Sequence, residues 1–220
     1  MDKKGFYEKR AESYTKFDKQ GFTRYTRALK LVDIKNGSKI LDVGCKHAFL
    51  IDLLAEKGIE VDYYGIDISE KVIENLKSKK GTFLVCDIMK GLPFDSEKFD
   101  YIFCLEVIEH VESPTLLLNQ FNRVLKKDGV LMLSVPNVYN WICIVAEMFK
   151  FPDTEGHIQA FTRQNIYRIA DFAGYKVEQR IGTYSILPYT LHGIRTGNYL
   201  MFPSSLQFLA MSYIYKLTKR

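Results

Sequence analysis

The chain has 220 residues and 25.5 kDa; 47% of the residues are hydrophobic, 26% are charged, and the formal net charge is +5. That balance excludes an intrinsically disordered chain, and the four cysteines lack the paired spacing of a zinc ribbon or disulfide framework. The longest late apolar run, "LQFLAMSYIYKL", is too short to span a bilayer, and "MDKKGFYEKRAESY" has no signal-peptide core, so the expected setting is cytoplasmic.

In chain order, residues 1–37 read as a helical cover rich in Tyr, Phe and Arg. The first 39 residues hold eleven Lys or Arg against five Asp or Glu. Such an excess suits a solvated helical face, or contact with an acidic substrate, nucleic acid or an anionic membrane surface. "KILDVG" is a buried strand, and "FLIDLLAEKG" sets Leu50, Leu53 and Leu54 on one helical face before Gly58 ends it. "VDYYGID" is a second strand. "SEKVIENLKSKKG" is a helix with Ser69 as cap and Gly81 as stop. "TFLVCD" and "FDYIFCLE" are two more strands. "SPTLLLNQFNRVLKKDG" reads as a helix opened by Ser113 and Pro114 and closed by Gly129, and "VLMLSVP" as a fifth strand. Later strands are expected at "YKVEQRIG" and "AMSYIYKLTK", with the insertion "SILPYTLHGIRTGNYLMFPSSLQ" between them.

Alternation of apolar strands with helices predicts an α/β fold: a doubly wound, mostly parallel, seven-stranded sheet with a small helical cap. The core is expected over residues 38–184, with 185–220 supplying a cap insertion and the last strand. Cys45, Cys86, Cys104 and Cys143 read as packing residues. In open α/β sheets ligands sit beyond the carboxyl ends of the strands. There the sequence places Asp42 and Gly44, then Asp67, Asp87 and Glu106. A carboxylate such as Asp67 accepts two hydrogen bonds and suits the vicinal hydroxyls of a ribose.

The set "LDVGC", "YYGID", "VCDI", "FDYIFCLEVIEHV" and "RVLKKDGVLMLSVPN" resembles the class I S-adenosylmethionine-dependent methyltransferases. It is similar in particular to the branch of ubiquinone-pathway O-methyltransferases and small-molecule and sugar methyltransferases. The likeness covers roughly residues 38–137 and resumes at "GHIQAFTRQNIYRIADFAGYKV". It implies a Rossmann-like methyltransferase fold and S-adenosylmethionine as cofactor. It places Asp42, Gly44, Cys45 and Lys46 beside the methionine part, Asp67 and Ile68 at the ribose, Asp87 and Ile88 at the adenine, and Leu105 and Glu106 near the sulfonium. The turn departs from the family pattern, because Lys46 and Ala48 stand where glycines are expected. G-x-G-x-x-G is absent, which argues against NAD or FAD. The Lys46 ammonium either meets the cofactor carboxylate or points into water.

In "CLEVIEHV", Glu106, Glu109 and His110 fall at i, i+3 and i+4, so a helical turn would gather them on one face. By resemblance to metal-using relatives they could hold a divalent cation with His157; the alternative gives His110 or His157 a general-base role. The implied activity is methyl transfer to a small-molecule acceptor at a hydroxyl. The acceptor would be apolar, quinone-like, lipid-like or glycosylated, with Trp141 and Phe149 lining its pocket, and a peripheral membrane contact is compatible with it. Two alternatives stand: a degenerate methyltransferase fold serving as a binding scaffold, and a metal-assisted RNA ribose 2′-O-methyltransferase.

Overall fold

A computed structural model describes residues 2–11, 17–150, 155–188, 199–204, 206 and 208–220. Five strands run parallel: β1 (Lys39–Val43), β2 (Asp62–Asp67), β3 (Thr82–Val85), β4 (Phe99–Leu105) and β5 (Leu125–Pro136). With β6 (Tyr175–Gly182) and the last strand, Ser212–Lys219, they form one seven-stranded sheet. Strands β7 (Ser185–Pro188) and β8 (Tyr199–Phe202) make a separate antiparallel pair, so the last strand is β9. The large sheet has the order β3-β2-β1-β4-β5-β9-β6, with β9 antiparallel to both of its neighbours. The winding direction reverses between β1 and β4, and a crevice at such a reversal is where this architecture binds ligands.

Both faces of the sheet are covered. Helices α1 (Lys3–Ala11), α2 (Lys19–Ala28), α3 (Phe49–Glu56) and α4 (Glu70–Asn75) belong with one apolar cluster, built on Ile40, Tyr63, Phe103, Met132 and Ile214. On the other face α5 (Pro114–Val124) and α7 (Arg163–Phe172) pack on Leu41, Ile102, Leu131, Leu133 and Leu217. Helix α6 (Trp141–Met148) stands apart: its sequence WICIVAEM is nearly all apolar, yet none of its residues is buried.

Three local expectations are corrected. Helix α5 ends at Val124 rather than running to Gly129. The N–H groups of Glu97 and Lys98 donate to the carbonyls of Arg123 and Val124, which draws the chain at Leu125 into pairing with β4. Helix α4 ends at Asn75, and residues up to Gly81 are turns. The cap insertion carries the β7–β8 hairpin as well as loops, and its residues 189–198 lie outside the described residues, as do 12–16 of the amino-terminal cover and 151–154 after α6. The basic excess of the amino-terminal cover is largely matched inside the molecule. Lys3 pairs with Glu112 at 3.1 Å, Lys4 with Glu70, Arg10 with Glu155, and Arg24 with Glu106 at 3.7 Å.

Candidate active site

The turn after β1 keeps the shape that glycines would give it. Gly44 has φ +68°, Lys46 φ +45° and Ala48 φ +51°. A non-glycine residue held there costs about 1–3 kcal/mol, so the fold must over-determine the turn. It does so with several bonds: Gly44 N–H donates to the Ile66 carbonyl at 2.8 Å, and Ala48 N–H to that of Cys45 at 2.6 Å. The Lys46 ammonium meets Asp18 at 2.8 Å, so its cation goes to the N-cap residue of α2. At Gly44 the absence of a side chain is also steric, since a Cβ would sit 2.6 Å from Cγ2 of Val107.

Asp67 ends β2 at the rim. Its carboxylate accepts the Ser69 N–H at 3.0 Å and the Lys46 N–H at 3.4 Å. Burial raises its pKa, against those backbone bonds. The Asp67 carbonyl accepts the Cys86 N–H at 2.8 Å, tying β2 to the segment holding Asp87 and Ile88. Asp87 caps the short 3-10 turn Ile88–Lys90, accepting the Met89 N–H at 3.1 Å. Cys45 and Leu105 are buried beside this rim, and burial pushes the Cys45 thiol up.

Asp42 is displaced from the expected row of acids. It pairs with Gly65 in β2, two residues short of Asp67, so it lies within the sheet and not at its edge. Its side chain is fully buried, and its two oxygens accept the hydroxyls of Tyr25 and Tyr63, each at 2.6 Å. Burial lifts its pKa to about 7, against those two bonds. Asp42 therefore ties α2 and β2 to β1.

Glu106 also departs from expectation. With φ +58° it leaves β4 in a left-handed turn, and the following 3-10 helix spans only Ile108–His110. Glu106 is thus not on one helical face with Glu109 and His110. It accepts the Ser134 hydroxyl at 2.9 Å and faces Arg24 at 3.7 Å. The group that does assemble is Glu109, His110 and His157, whose ligand atoms lie within 4.8 Å of one another. The two imidazoles stack at 4.9 Å between centroids. His110 Nδ1 lies 3.0 Å from the Gly156 carbonyl, which can only accept, so Nδ1 carries the proton and Nε2 keeps its lone pair. Nε2 is 4.0 Å from Glu109 Oε1. Burial lowers the His110 pKa. Glu109 is fully buried, neither oxygen has a hydrogen-bond partner among the described residues, and burial holds its pKa well above the carboxylate range, with Glu106 adding to it.

Four contributors were missed from the sequence: Asp18, Arg24, Tyr25 and Tyr63. The Arg24 side chain is 14% exposed and its buried Nε has no hydrogen-bond partner among the described residues. Burial works most strongly against its charge, but Glu106, Tyr184, Asp18 and Glu109 together outweigh that and raise its pKa. The amphipathic string "FTRYTRALKL" carries the only hint, since Arg24 and Tyr25 interrupt a helix face that packs on the sheet.

A methyltransferase-domain family model matches residues 17–180. The chain is 30% identical over 152 residues to the uncharacterized protein MJ1252 of Methanocaldococcus jannaschii, covering 68% of this chain and 58% of that one. It is 34% identical over 111 residues to the ubiquinone biosynthesis O-methyltransferase of Haemophilus ducreyi, covering 46% of each. The chain thus spans about half the length of these curated relatives. Among solved structures, a complex of the Haloferax volcanii methyltransferase activator Trm112 with a methyltransferase aligns at TM-score 0.76. It has 16% identity and covers 99% of this chain and 97% of that one. A possible histamine N-methyltransferase from Thermotoga maritima aligns at TM-score 0.70, with 15% identity and 98% and 99% coverage. At such identities these two structures establish the fold alone.

Proposed function

The chain belongs to the S-adenosylmethionine-dependent methyltransferases, and on that premise we propose that it methylates a hydroxyl group of a small-molecule acceptor. S-adenosylmethionine, when bound, supplies a methyl group on a positively charged sulfur that is a good leaving group. The rim fits such a molecule. Asp67 would take the ribose hydroxyls, Asp87 and Ile88 the adenine edge, and Gly44 lets the turn lie close. Arg24, with its orphaned Nε, would meet the amino-acid carboxylate. Cys45, Lys46, Ile68, Leu105 and Glu106 would complete the walls.

One observation carries the choice of oxygen: His110 holds a lone pair on Nε2 in a site where burial keeps the imidazole neutral near pH 7. A hydroxyl acceptor must lose its proton as the new O–CH3 bond forms, and a neutral imidazole can take it. His157, exposed and stacked on His110, would guide the acceptor in. An apolar acceptor is supported by the cap, where Met148 is 73% and Phe149 69% exposed, with Leu206 and Phe208 exposed nearby. Trp141 N–H donates to the Phe208 carbonyl at 3.3 Å, which joins α6 to that apolar stretch.

The test is transfer of a labelled methyl group to a panel of phenols, alcohols and amines of graded lipophilicity. Transfer to hydroxyls, lost in His110→Ala and falling only at acidic pH where the imidazole protonates, is expected. Transfer to amines alone, or full turnover in His110→Ala, would overturn the reading.

A second reading is favoured by the two unpartnered Glu109 oxygens. With His110 and His157 they form a donor set suited to a divalent cation, which would orient an acceptor oxygen. Turnover that survives exhaustive chelation would remove it. The RNA alternative loses support, because Lys3, Lys4, Arg10 and Arg24 of the basic cover pair with acids within the chain.

A further inference from the structure

A second polar cleft lies on the α7 face of the sheet, at the carboxyl end of β5. Its walls include Val135, Tyr213 and Tyr215, which belong to the apolar cluster opposite α2, so the cleft is separated from the rim by the sheet itself. Its enclosed part holds about 10 Å³, room for a single water-sized atom such as one oxygen of a larger group, and the rest of the cleft opens to solvent. No acidic residue lines it, but two arginines do, Arg163 and Arg180.

Both cations stand in contrast to other guanidinium groups of the chain. Arg220 pairs with Asp171 at 2.5 Å, and Arg10 with Glu155. Among the described residues, Arg163 and Arg180 have no carboxylate within ion-pair distance. Arg180 instead lies over the ring of Tyr213, its guanidinium carbon 3.6 Å from the centroid, and its buried Nε has no hydrogen-bond partner among the described residues. Tyr213 is 6% exposed, and among the described residues its buried hydroxyl has no partner in full hydrogen-bond geometry, only the neighbouring Arg180 guanidinium, whose charge works against the rise that burial gives its pKa.

Leaving a buried donor unmade costs free energy that neither apolar packing nor the ring contact recovers. Here two such donors, Arg180 Nε and the Tyr213 hydroxyl, line the same cleft. Stacking on tyrosine fixes the guanidinium plane and leaves its edge N–H groups available, the arrangement that recognises planar or tetrahedral oxyanions. Arg163 is the first residue of α7, so the positive end of that ten-residue helix adds to the field.

We propose that this cleft binds a small oxyanion, a phosphate or carboxylate group, held by Arg163, Arg180 and the Tyr213 hydroxyl. The remainder of the ligand would leave past Tyr139, which is 46% exposed at the mouth. The inference does not depend on the methyl-transfer reading, because the cleft shares no residue with the rim.

Titration of the full chain with inorganic phosphate, and separately with acetate, against chloride at equal ionic strength tests it, with amide and tyrosine ring shifts followed by NMR. Saturable shifts confined to this cleft are expected with one or both oxyanions and not with chloride. Phosphate alone would point to a phosphate ester, and acetate alone to a carboxylate. Arg163→Gln, an exposed position that leaves the fold intact, should weaken binding about tenfold, and Tyr213→Phe by a similar factor while keeping the ring stack. Arg163→Gln/Arg180→Gln should abolish it. Oxyanion effects no larger than those of chloride, or saturation retained in the double variant, would overturn the proposal.

Discussion

Asp42→Asn probes the join between the amino-terminal cover and the sheet. Burial raises the Asp42 carboxyl from an ordinary 3.8 to about 7 despite the Tyr25 and Tyr63 hydroxyls. An acid whose pKa rises on folding holds its proton more tightly in the native state. The stability it lends is full below about 3.8 and is lost as pH climbs to 7. The interval is about three pH units, and each unit is worth ~1.36 kcal/mol, so the swing is of the order of 4 kcal/mol. Asparagine keeps the shape and one carbonyl acceptor but does not titrate. Urea unfolding of both proteins from pH 4 to pH 8 isolates the effect, because all other groups cancel in the difference. The variant should gain on the wild type steadily through this range and level off above pH 7. Parallel curves would mean that folding leaves the Asp42 carboxyl at its ordinary pKa, and a wild type that gained on the variant would mean that the phenols hold an ionised carboxylate.

Gly44→Ala combines a φ of +68° with a Cβ 2.6 Å from Val107, and should lose about 2 kcal/mol in chemical denaturation. Adding Val107→Ala should remove the steric share of that loss; an additive double variant would count against it. Asp18→Asn keeps the cap on α2 but breaks the ion pair with Lys46, for a loss of up to ~1 kcal/mol, while Asp18→Ala should lose about 1 kcal/mol more with the cap. Equal melting temperatures for the two variants would refute the capping share. Glu109→Gln should be at least as stable as the wild type at pH 8, since burial raises the pKa of an unpartnered carboxyl; a clear drop in melting temperature would show that the carboxylate has a partner.

What was legible in the sequence is what local pattern encodes. The alternation of strands and helices, and the acids where strands stop, follow from side-chain periodicity and turn chemistry over a few residues. Asp67, Asp87 and Glu106 duly stand at strand ends. Asp42 was misplaced because alternation says which face a residue takes and not how many rungs below the edge it sits. Glu106 left the expected helical face because its left-handed φ turns the chain before the helix starts, and no propensity foretells that for glutamate. His110 and His157 are far apart in sequence, and their stacking rests on the return of the chain at Gly156. Arg24, Tyr25 and the β7–β8 hairpin depend on tertiary docking, which a single sequence does not display. The turn at Lys46 and Ala48 is instructive in the other direction. The expected glycines are absent, yet the backbone adopts their conformation, supported by Asp18, Asp67 and the carbonyls of Cys45 and Ile66.

The most direct test is calorimetric titration of the chain with S-adenosylhomocysteine, beside Asp67→Ala. One-site saturation by the wild type, weakened at least tenfold in a variant that melts normally, is what the geometry of the rim predicts. Equal affinity in the two proteins, or no heat from the wild type at millimolar ligand, would contradict it.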